Sequence, residues 1–172
     1  MDLAYLIIGV VTAQRLGELI LSRRNTRRLI ASGAVAYASA HYPFMVALHA
    51  TWLAGLWWLT PGQPISIVLL VVYAALRILR VWVMATLGPR WTTRIVVLPG
   101  APLVKTGPYR FLSHPNYVVV VCEFALLPLM FGLVWYAVLF SLLNAAVLAI
   151  RIRAENAALD QVASSAHPEC AR

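Results

Sequence analysis

Long apolar runs separated by arginine-rich loops constrain this chain more than any other feature of its sequence. A helix needs about 20 mostly apolar residues to cross a bilayer. The last run, from Tyr117 to Ile150, is too long for one span and long enough for two short ones, with Pro128 and Gly132 marking the fold-back point. Three earlier spans are predicted at Leu3–Leu21, Tyr42–Leu59 and Ile65–Leu87. The pattern therefore predicts an all-α, polytopic membrane protein with about five transmembrane helices.

The composition excludes an ordinary soluble domain. The 172 residues are 62% hydrophobic and 12% charged, whereas a soluble domain is about half apolar and about a quarter charged. A soluble chain of this size has too little interior to bury so many apolar residues.

The net charge of +8 does not indicate nucleic-acid binding, because most cations lie in the loops that flank the apolar runs. Arginines and a lysine follow spans one, three and five, while the other connectors, near residues 60–64 and near Gly132, hold none. This asymmetry is the positive-inside pattern. It predicts an outside N-terminus and a cytoplasmic C-terminus.

A polar segment from Lys105 to Tyr117 carries the strongest functional signal. It combines prolines, a glycine, tyrosines, a histidine and two cations between apolar runs, and it predicts a binding site for a small polar molecule at the membrane surface. The alternative interpretation is a turn that caps the next helix, with Tyr117 in the interfacial aromatic belt. A second cluster follows the last span, where Arg151 and Glu155 lie one helical turn apart and share a face.

The two clusters together resemble the isoprenylcysteine carboxyl methyltransferase family. The resemblance lies in segments 107–110 and 114–117, a helical hairpin, and then Arg151 followed by Glu155. It implies a small multi-span membrane enzyme that uses S-adenosylmethionine and releases S-adenosylhomocysteine. The similarity covers about residues 88–160, the cofactor-binding half of a single domain over residues 1–160. Residues 161–172 are expected to form a disordered tail.

Segments 41–46 and 90–95 carry a narrower resemblance, to a bacterial branch of the family. Members of that branch methylate long-chain alkylpyrones or alkylresorcinols, which implies a location in the bacterial inner membrane. The acceptor and the oligomeric state stay open.

Six residues are predicted to bind the cofactor. Aromatic rings can stack on adenine or face the sulfonium, His114 can hydrogen-bond through a ring nitrogen, and Pro115 suits a first helical turn whose amides face a carboxylate. The predicted cofactor-binding residues are Trp91, Tyr109, His114, Pro115, Asn116 and Tyr117.

The predicted catalytic residues are Arg151, Glu155 and Glu123. The family element that Arg151 and Glu155 resemble ends in two acids, and this chain departs from it at Asn156. Glu123 lies inside a span, where ionisable groups are costly and usually functional. It is interpreted either as a general base for a phenolic or enolic hydroxyl or as the partner of Arg77.

The other intramembrane polar residues receive structural interpretations. Arg15 and Glu18 can pair at i,i+3, and His41 and His49 are expected to be satisfied packing groups. No metal site is predicted, because the four histidines, which include His114 and His167, are not at ligand spacing.

These features predict an O-methyltransferase that acts on a lipophilic acceptor at the cytoplasmic membrane face. The acceptor is either a carboxylate of the isoprenylcysteine type or a long-chain phenol or pyrone, and it enters sideways from the bilayer. A phospholipid N-methyltransferase is a related alternative. A small membrane transporter or scaffold is a different class, which the motif-rich loop disfavours.

Overall fold

Five helices account for most of the fold. The computed structural model describes residues 2–37, 40, 42–102 and 104–166, and at 160–166 the backbone alone. The helices are α1 Leu3–Ala31, α2 Tyr42–Leu59, α3 Ile67–Leu87, α4 Pro115–Met130 and α5 Val134–Ala166. Two short strands, β1 Val35–Ala36 and β2 Val96–Val97, and two 3-10 turns, Gly88–Arg90 and Gly107–Arg110, complete the described elements. His41 and His167 lie outside the described residues.

Each predicted apolar run forms helix, but α1 ends at Ala31 rather than at Leu21, and α5 ends at Ala166 rather than at Ile150. Three are long and apolar enough to cross a membrane: α1, α3 and α5. The structure therefore confirms a mostly helical chain with membrane-spanning character. α2 is not among those three, and α4 is a shorter apolar helix. α5 continues as helix through Ala166, into the segment predicted to be a disordered tail.

The helix ends explain where the chain turns. Asp2 caps α1 by accepting a hydrogen bond from the Ala4 amide at 3.1 Å, and it also accepts one from the Gly62 amide at 2.9 Å. These two bonds lower the pKa of Asp2 below its usual value. Gly132 has a φ of +73° in the turn between α4 and α5, a conformation that favours glycine. The predicted fold-back point at Gly132 is confirmed, whereas Pro128 lies inside α4.

Apolar side chains cover the outside of the bundle as well as its core. Trp52 stacks on Phe124 in the core, with ring centroids 4.5 Å apart. Trp58 and Trp135 are 86% and 87% exposed on the outer surface. An apolar exterior of this extent marks a surface that faces lipid.

The two strands join distant parts of the chain at one end of the bundle. Val35 pairs with Val97 and Ala36 pairs with Val96 in an antiparallel arrangement. The apolar run 95–98 therefore includes a short extended piece. Its pairing brings the loop after α3 against the segment that follows α1.

The contact between α2 and α5 generates a stability prediction. Gly55 packs so closely that an added Cβ would lie 2.1 Å from Tyr136 Oη, which donates a hydrogen bond to the Trp52 carbonyl at 2.8 Å. We expect Gly55→Ala to destabilise the fold by about 1–3 kcal/mol, as overpacking does, and to lower the midpoint of thermal unfolding in detergent.

Gly17→Ala is the matched control, because no atom lies within 4 Å of its Cβ position. Alanine is the better helix former, so this variant should unfold at the wild-type midpoint or above it. Equal midpoints for Gly55→Ala and Gly17→Ala would contradict the close packing of α2 on α5.

Candidate functional site

Most of the predicted site residues lie at one end of the bundle, called here the basic end. It comprises the C-terminal turns of α1 with Arg23, Arg24, Arg27 and Arg28, the connecting segments 88–102 and 104–114, and the part of α5 around Arg151 and Arg153.

The basic end is held together by polar side chains on the extension of α1. Asn25 donates hydrogen bonds to the carbonyls of Trp91 at 2.8 Å and Gly88 at 3.2 Å. The Ser22 hydroxyl accepts from the Thr93 amide at 2.8 Å. Both α1 side chains are buried, so these bonds are shielded from solvent. They fix the backbone of residues 88–93 against α1.

Arg151 joins this loop to α5. Its Nε donates to the Tyr117 hydroxyl at 3.0 Å, and one terminal nitrogen donates to the Thr93 carbonyl at 2.8 Å and lies 3.2 Å from the Met45 sulfur. The side chain is 7% exposed. Because its planar guanidinium donates in fixed directions, Arg151 sets the mutual positions of α2, α4, α5 and the loop.

Tyr117 lies between the two charged groups of α5. Its hydroxyl donates to Glu155 while accepting from Arg151, so the predicted Arg151–Glu155 pair is linked through a phenol rather than directly. The His114 ring stacks on Tyr117, with centroids 5.1 Å apart and planes 16° apart. Burial, and then the charge of Glu155, raise the pKa of Tyr109 to about 12, which keeps Tyr109 a neutral hydrogen-bond donor.

A cavity of about 240 Å³ opens beside these residues. Four of the nine predicted site residues line it: Trp91, Asn116, Tyr117 and Arg151. Four others lie close by without lining it: His114 and Glu155 contact Tyr117, Pro115 begins α4, and Tyr109 lies near Glu155. The sequence pattern thus predicts one wall of the cavity and the residues behind it. Asn156, where the chain departs from the family element, is exposed.

Six buried polar atoms of cavity-lining residues have no hydrogen-bond partner within the described part of the chain. They are Arg15 Nε, Trp52 Nε1, one terminal nitrogen of Arg80, Trp91 Nε1, Asn116 Oδ1 and Asn144 Nδ2. Buried polar groups in proteins are nearly always paired. Five donors and one acceptor left open around a cavity indicate that it takes a ligand with both acceptor and donor atoms.

A buried ionic cluster borders the cavity through Arg15, Glu18 and Arg80. Glu18 accepts two hydrogen bonds from Arg80, both of 2.6 Å, and a third from Arg15 at 3.0 Å. Glu123 accepts from Arg77, from Arg15 at 2.5 Å and from the Tyr73 hydroxyl at 3.2 Å. The i,i+3 pair of Arg15 with Glu18 and the pairing of Glu123 with Arg77 are confirmed.

Glu123 lies apart from the other predicted catalytic residues. It is 0% exposed, both of its oxygens are held by α1 and α3, and it is not among the residues that line the cavity. These contacts favour the interpretation of Glu123 as an ion-pair partner that joins three helices. In this arrangement neither carboxylate oxygen of Glu123 is accessible to act as the predicted base.

Several cavity-lining residues were missed or assigned other roles from the sequence. Asn144 is 3% exposed. It is a lone amide in the apolar run of α5, and this isolated polar side chain is the signal from which a site residue could have been predicted. His49 was expected to be a packing group. Met45 and Thr93 carry no chemical signal of their own, and the fold alone brings them to the site.

The model of the isoprenylcysteine carboxyl methyltransferase family matches residues 67–161. This range contains α3, α4, most of α5 and all nine predicted site residues.

The chain belongs to the isoprenylcysteine carboxyl methyltransferase family.

A relative from Bacillus subtilis (strain 168) bears the name "Uncharacterized protein YpbQ". It is 36% identical over 170 residues, which cover 91% of this chain and 96% of the relative. No solved structure matches the chain significantly. Members of this family are membrane methyltransferases that use S-adenosylmethionine, and the three apolar helices agree with a membrane location. The resemblance predicted from the sequence is confirmed.

The ionic cluster generates a prediction about Glu123. We expect Glu123→Gln to lower the midpoint of thermal unfolding, because it leaves three arginines, Arg15, Arg77 and Arg80, to share the single carboxylate of Glu18. Removing one partner of a buried ion pair costs about 3–5 kcal/mol. The matched control is Val121→Ala on the same helix, which is 42% exposed and should change the midpoint little. A Glu123→Gln protein with the wild-type midpoint and no methyl transfer would instead support the catalytic interpretation.

Proposed function

We propose that the protein is an S-adenosylmethionine-dependent O-methyltransferase whose acceptor is a lipophilic molecule with an acidic oxygen. The acceptor is an isoprenylcysteine-type carboxylate or, as the bacterial branch suggests, a long-chain phenol or pyrone. The observation that carries this proposal is the set of unpaired polar atoms on Trp91, Asn116 and Asn144 beside the Arg151–Tyr117–Glu155 chain, all around one cavity.

The residues present fit the cofactor. S-adenosylmethionine supplies a methyl group on a positive sulfonium, and its amino-acid and adenine parts offer acceptors and donors. Trp91 Nε1 and the Asn144 amide can donate to it, and Asn116 Oδ1 can accept from it. The faces of Tyr117 and Trp91 can stabilise a cation. Tyr109, His114, Pro115 and Glu155 support these groups from behind.

Methyl transfer needs orientation and a dry site more than it needs covalent chemistry from the protein. Trp91 is 2% exposed and Trp52, on the same cavity, 1% exposed. Arg151 holds the loop and three helices in one position through its three contacts. These residues therefore exclude water and keep the acceptor oxygen aligned with the methyl group.

The apolar walls of the cavity support entry of the acceptor from the lipid. α1 and α2 contact each other where Trp57 Nε1 donates to Thr12 at 3.0 Å. Further towards the basic end, Leu16 and Val46 line the cavity and are also 56% and 38% exposed on the outer surface. A lipophilic chain can pass between the two helices at this point.

Two arginines on the cavity wall, Arg15 and Arg80, favour an acceptor with an acidic oxygen over the amine of a phospholipid. A positive wall attracts an oxyanion and repels an ammonium group. The O-methyl proposal therefore has better support than the N-methyl alternative.

We further propose that all five helices lie in the bacterial inner membrane, with the basic end and the C-terminus in the cytoplasm and the N-terminus outside. The clustering of cations at the basic end supports this orientation. A cytoplasmic site would have direct access to the cofactor.

Calorimetric titration of the detergent-solubilised protein with S-adenosylhomocysteine tests the proposal. We expect saturable binding that Arg151→Ala and His114→Ala each weaken at least about tenfold. A hydrogen bond to a charged group contributes about 1.5–3 kcal/mol, and 1.4 kcal/mol corresponds to about a tenfold change in affinity.

Arg153→Ala is the matched control for Arg151→Ala, since Arg153 is an exposed arginine on the same helix. It should bind S-adenosylhomocysteine as the wild type does. A folded, monodisperse wild type that binds none of it would refute the methyltransferase proposal, and an equal loss in both arginine variants would refute the site.

A further inference from the structure

His49 lies on α2 and lines the same cavity as Arg15 and Arg151. Its Nδ1 is 2.8 Å from the carbonyl oxygen of Met45, one turn earlier. A carbonyl oxygen can only accept, so this bond assigns the hydrogen to Nδ1 and leaves Nε2 of the neutral ring with a free electron pair. The ring edge packs on Phe124, with centroids 4.8 Å apart and planes 84° apart, which fixes its orientation.

The two carboxylates near the cavity that could also accept a proton, those of Glu18 and Glu123, are not available. Glu18 is held by Arg80 and Arg15, and Glu123 does not line the cavity. Within the described ranges, His49 Nε2 makes no hydrogen bond. His49 is therefore the cavity-lining group that is free to take a proton.

Arg15 gives the same region an excess of positive charge. Three arginines, Arg15, Arg77 and Arg80, share two carboxylates, those of Glu18 and Glu123. An uncompensated cation inside a membrane protein is costly. An anion in the cavity beside Arg15 would balance the cluster.

We propose that His49 accepts the hydroxyl proton of a phenolic or enolic acceptor, and that Arg15 binds the oxygen as it becomes negative. The inference rests on the proposed methyl transfer and narrows its acceptor to a hydroxyl. The O–H bond breaks and the proton goes to Nε2. The freed electron pair on oxygen forms the bond to the methyl carbon while the carbon–sulfur bond breaks. The imidazolium then releases its proton to water.

A carboxylate acceptor would make this group unnecessary, because a carboxyl group with a pKa of about 4 is already ionised at neutral pH. A phenol, with a pKa of about 10, is not. The combination of an oriented free base and a cationic wall therefore points to a hydroxyl acceptor.

The first test uses a probe whose ionisation is visible, a long-chain alkyl nitrophenol, with protein in detergent at a pH where the free probe is mostly neutral. We expect the wild type to bind the probe and to increase its phenolate absorbance. His49→Asn can keep the bond to Met45 through its amide nitrogen but has no basic atom at the Nε2 position. It should bind the probe with a smaller phenolate fraction, and His49→Gln should do the same.

The second test measures methyl transfer to a long-chain alkylresorcinol. His49→Asn should lower kcat by about 10²–10⁴-fold, the usual contribution of a general base, with KM and S-adenosylhomocysteine affinity close to those of the wild type. Trp58→Phe, an 86% exposed position on the same helix, is the control and should match the wild type in every measurement.

The outcomes separate this inference from the proposed function. Wild-type binding of S-adenosylhomocysteine with an unchanged phenolate fraction in His49→Asn would overturn the role of His49 and leave the methyltransferase proposal standing. A wild type that binds no probe would overturn the hydroxyl-acceptor site. Loss of S-adenosylhomocysteine binding in His49→Asn would show that His49 belongs to the cofactor region instead.

Discussion

The buried cluster of Arg15, Glu18, Arg77, Arg80 and Glu123 is the interaction on which the arrangement of the helices depends. It joins α1, α3 and α4 through four salt bridges between helices, with a fifth inside α1, in a setting where an isolated charge is expensive. Apolar side chains between helices in lipid give little specificity, because lipid tails are as apolar as leucine. Buried charges do give specificity, since a rotation of α1 would break the contacts of Arg15 with Glu123 and of Glu18 with Arg77 and Arg80. The same requirement places Arg15 and Arg80 on the cavity wall.

The second organising element is the extension of α1 beyond its apolar run. Ser22 and Asn25 hold the loop at residues 88–93, and the Thr93 carbonyl in turn accepts from Arg151. The family match begins at residue 67, so α1 and α2 lie outside it, yet they supply a large part of the cavity lining. The matched half contains the groups that suit a cofactor. The unmatched half contains His49 and Arg15, which face the remainder of the cavity. Within these two helices, Ser22, Asn25 and Met45 contact the groups proposed to bind the cofactor, whereas His49 and Arg15 border the part of the cavity proposed to take the acceptor.

Apolar periodicity predicted the helices well because each run has to form its own backbone hydrogen bonds in lipid. The predicted and observed bounds of α2 are both Tyr42–Leu59, and α3 begins at Ile67 where Ile65 was predicted. What could not be predicted depends on contacts between elements. The β1–β2 pairing joins segments about 60 residues apart, and no local pattern specifies it. Whether Glu123 pairs with arginines or faces a cavity is decided by the rotation of α4 against α1 and α3. The position of His49 in the sequence of α2 does not distinguish a ring packed in the core from a ring that borders a cavity.

The Arg151–Tyr117–Glu155 group and the buried ionic cluster border one cavity but differ in charge. In the proposed function the groups near Arg151 face a sulfonium, and Glu155 behind Tyr117 supplies negative charge there. The groups near Arg15 carry an excess positive charge, which suits a developing oxyanion. In the proposed methyl transfer the positive charge on sulfur disappears as the negative charge on oxygen is neutralised, so each end of the cavity would stabilise the reactants before the step. Such stabilisation would slow the reaction if it served only binding. In the proposed mechanism it is useful because Arg15 and His49 form the ionised oxygen from a hydroxyl that is otherwise protonated. The catalytic gain would then lie in forming the nucleophile, and the cation excess of the cluster would have a chemical as well as a structural use.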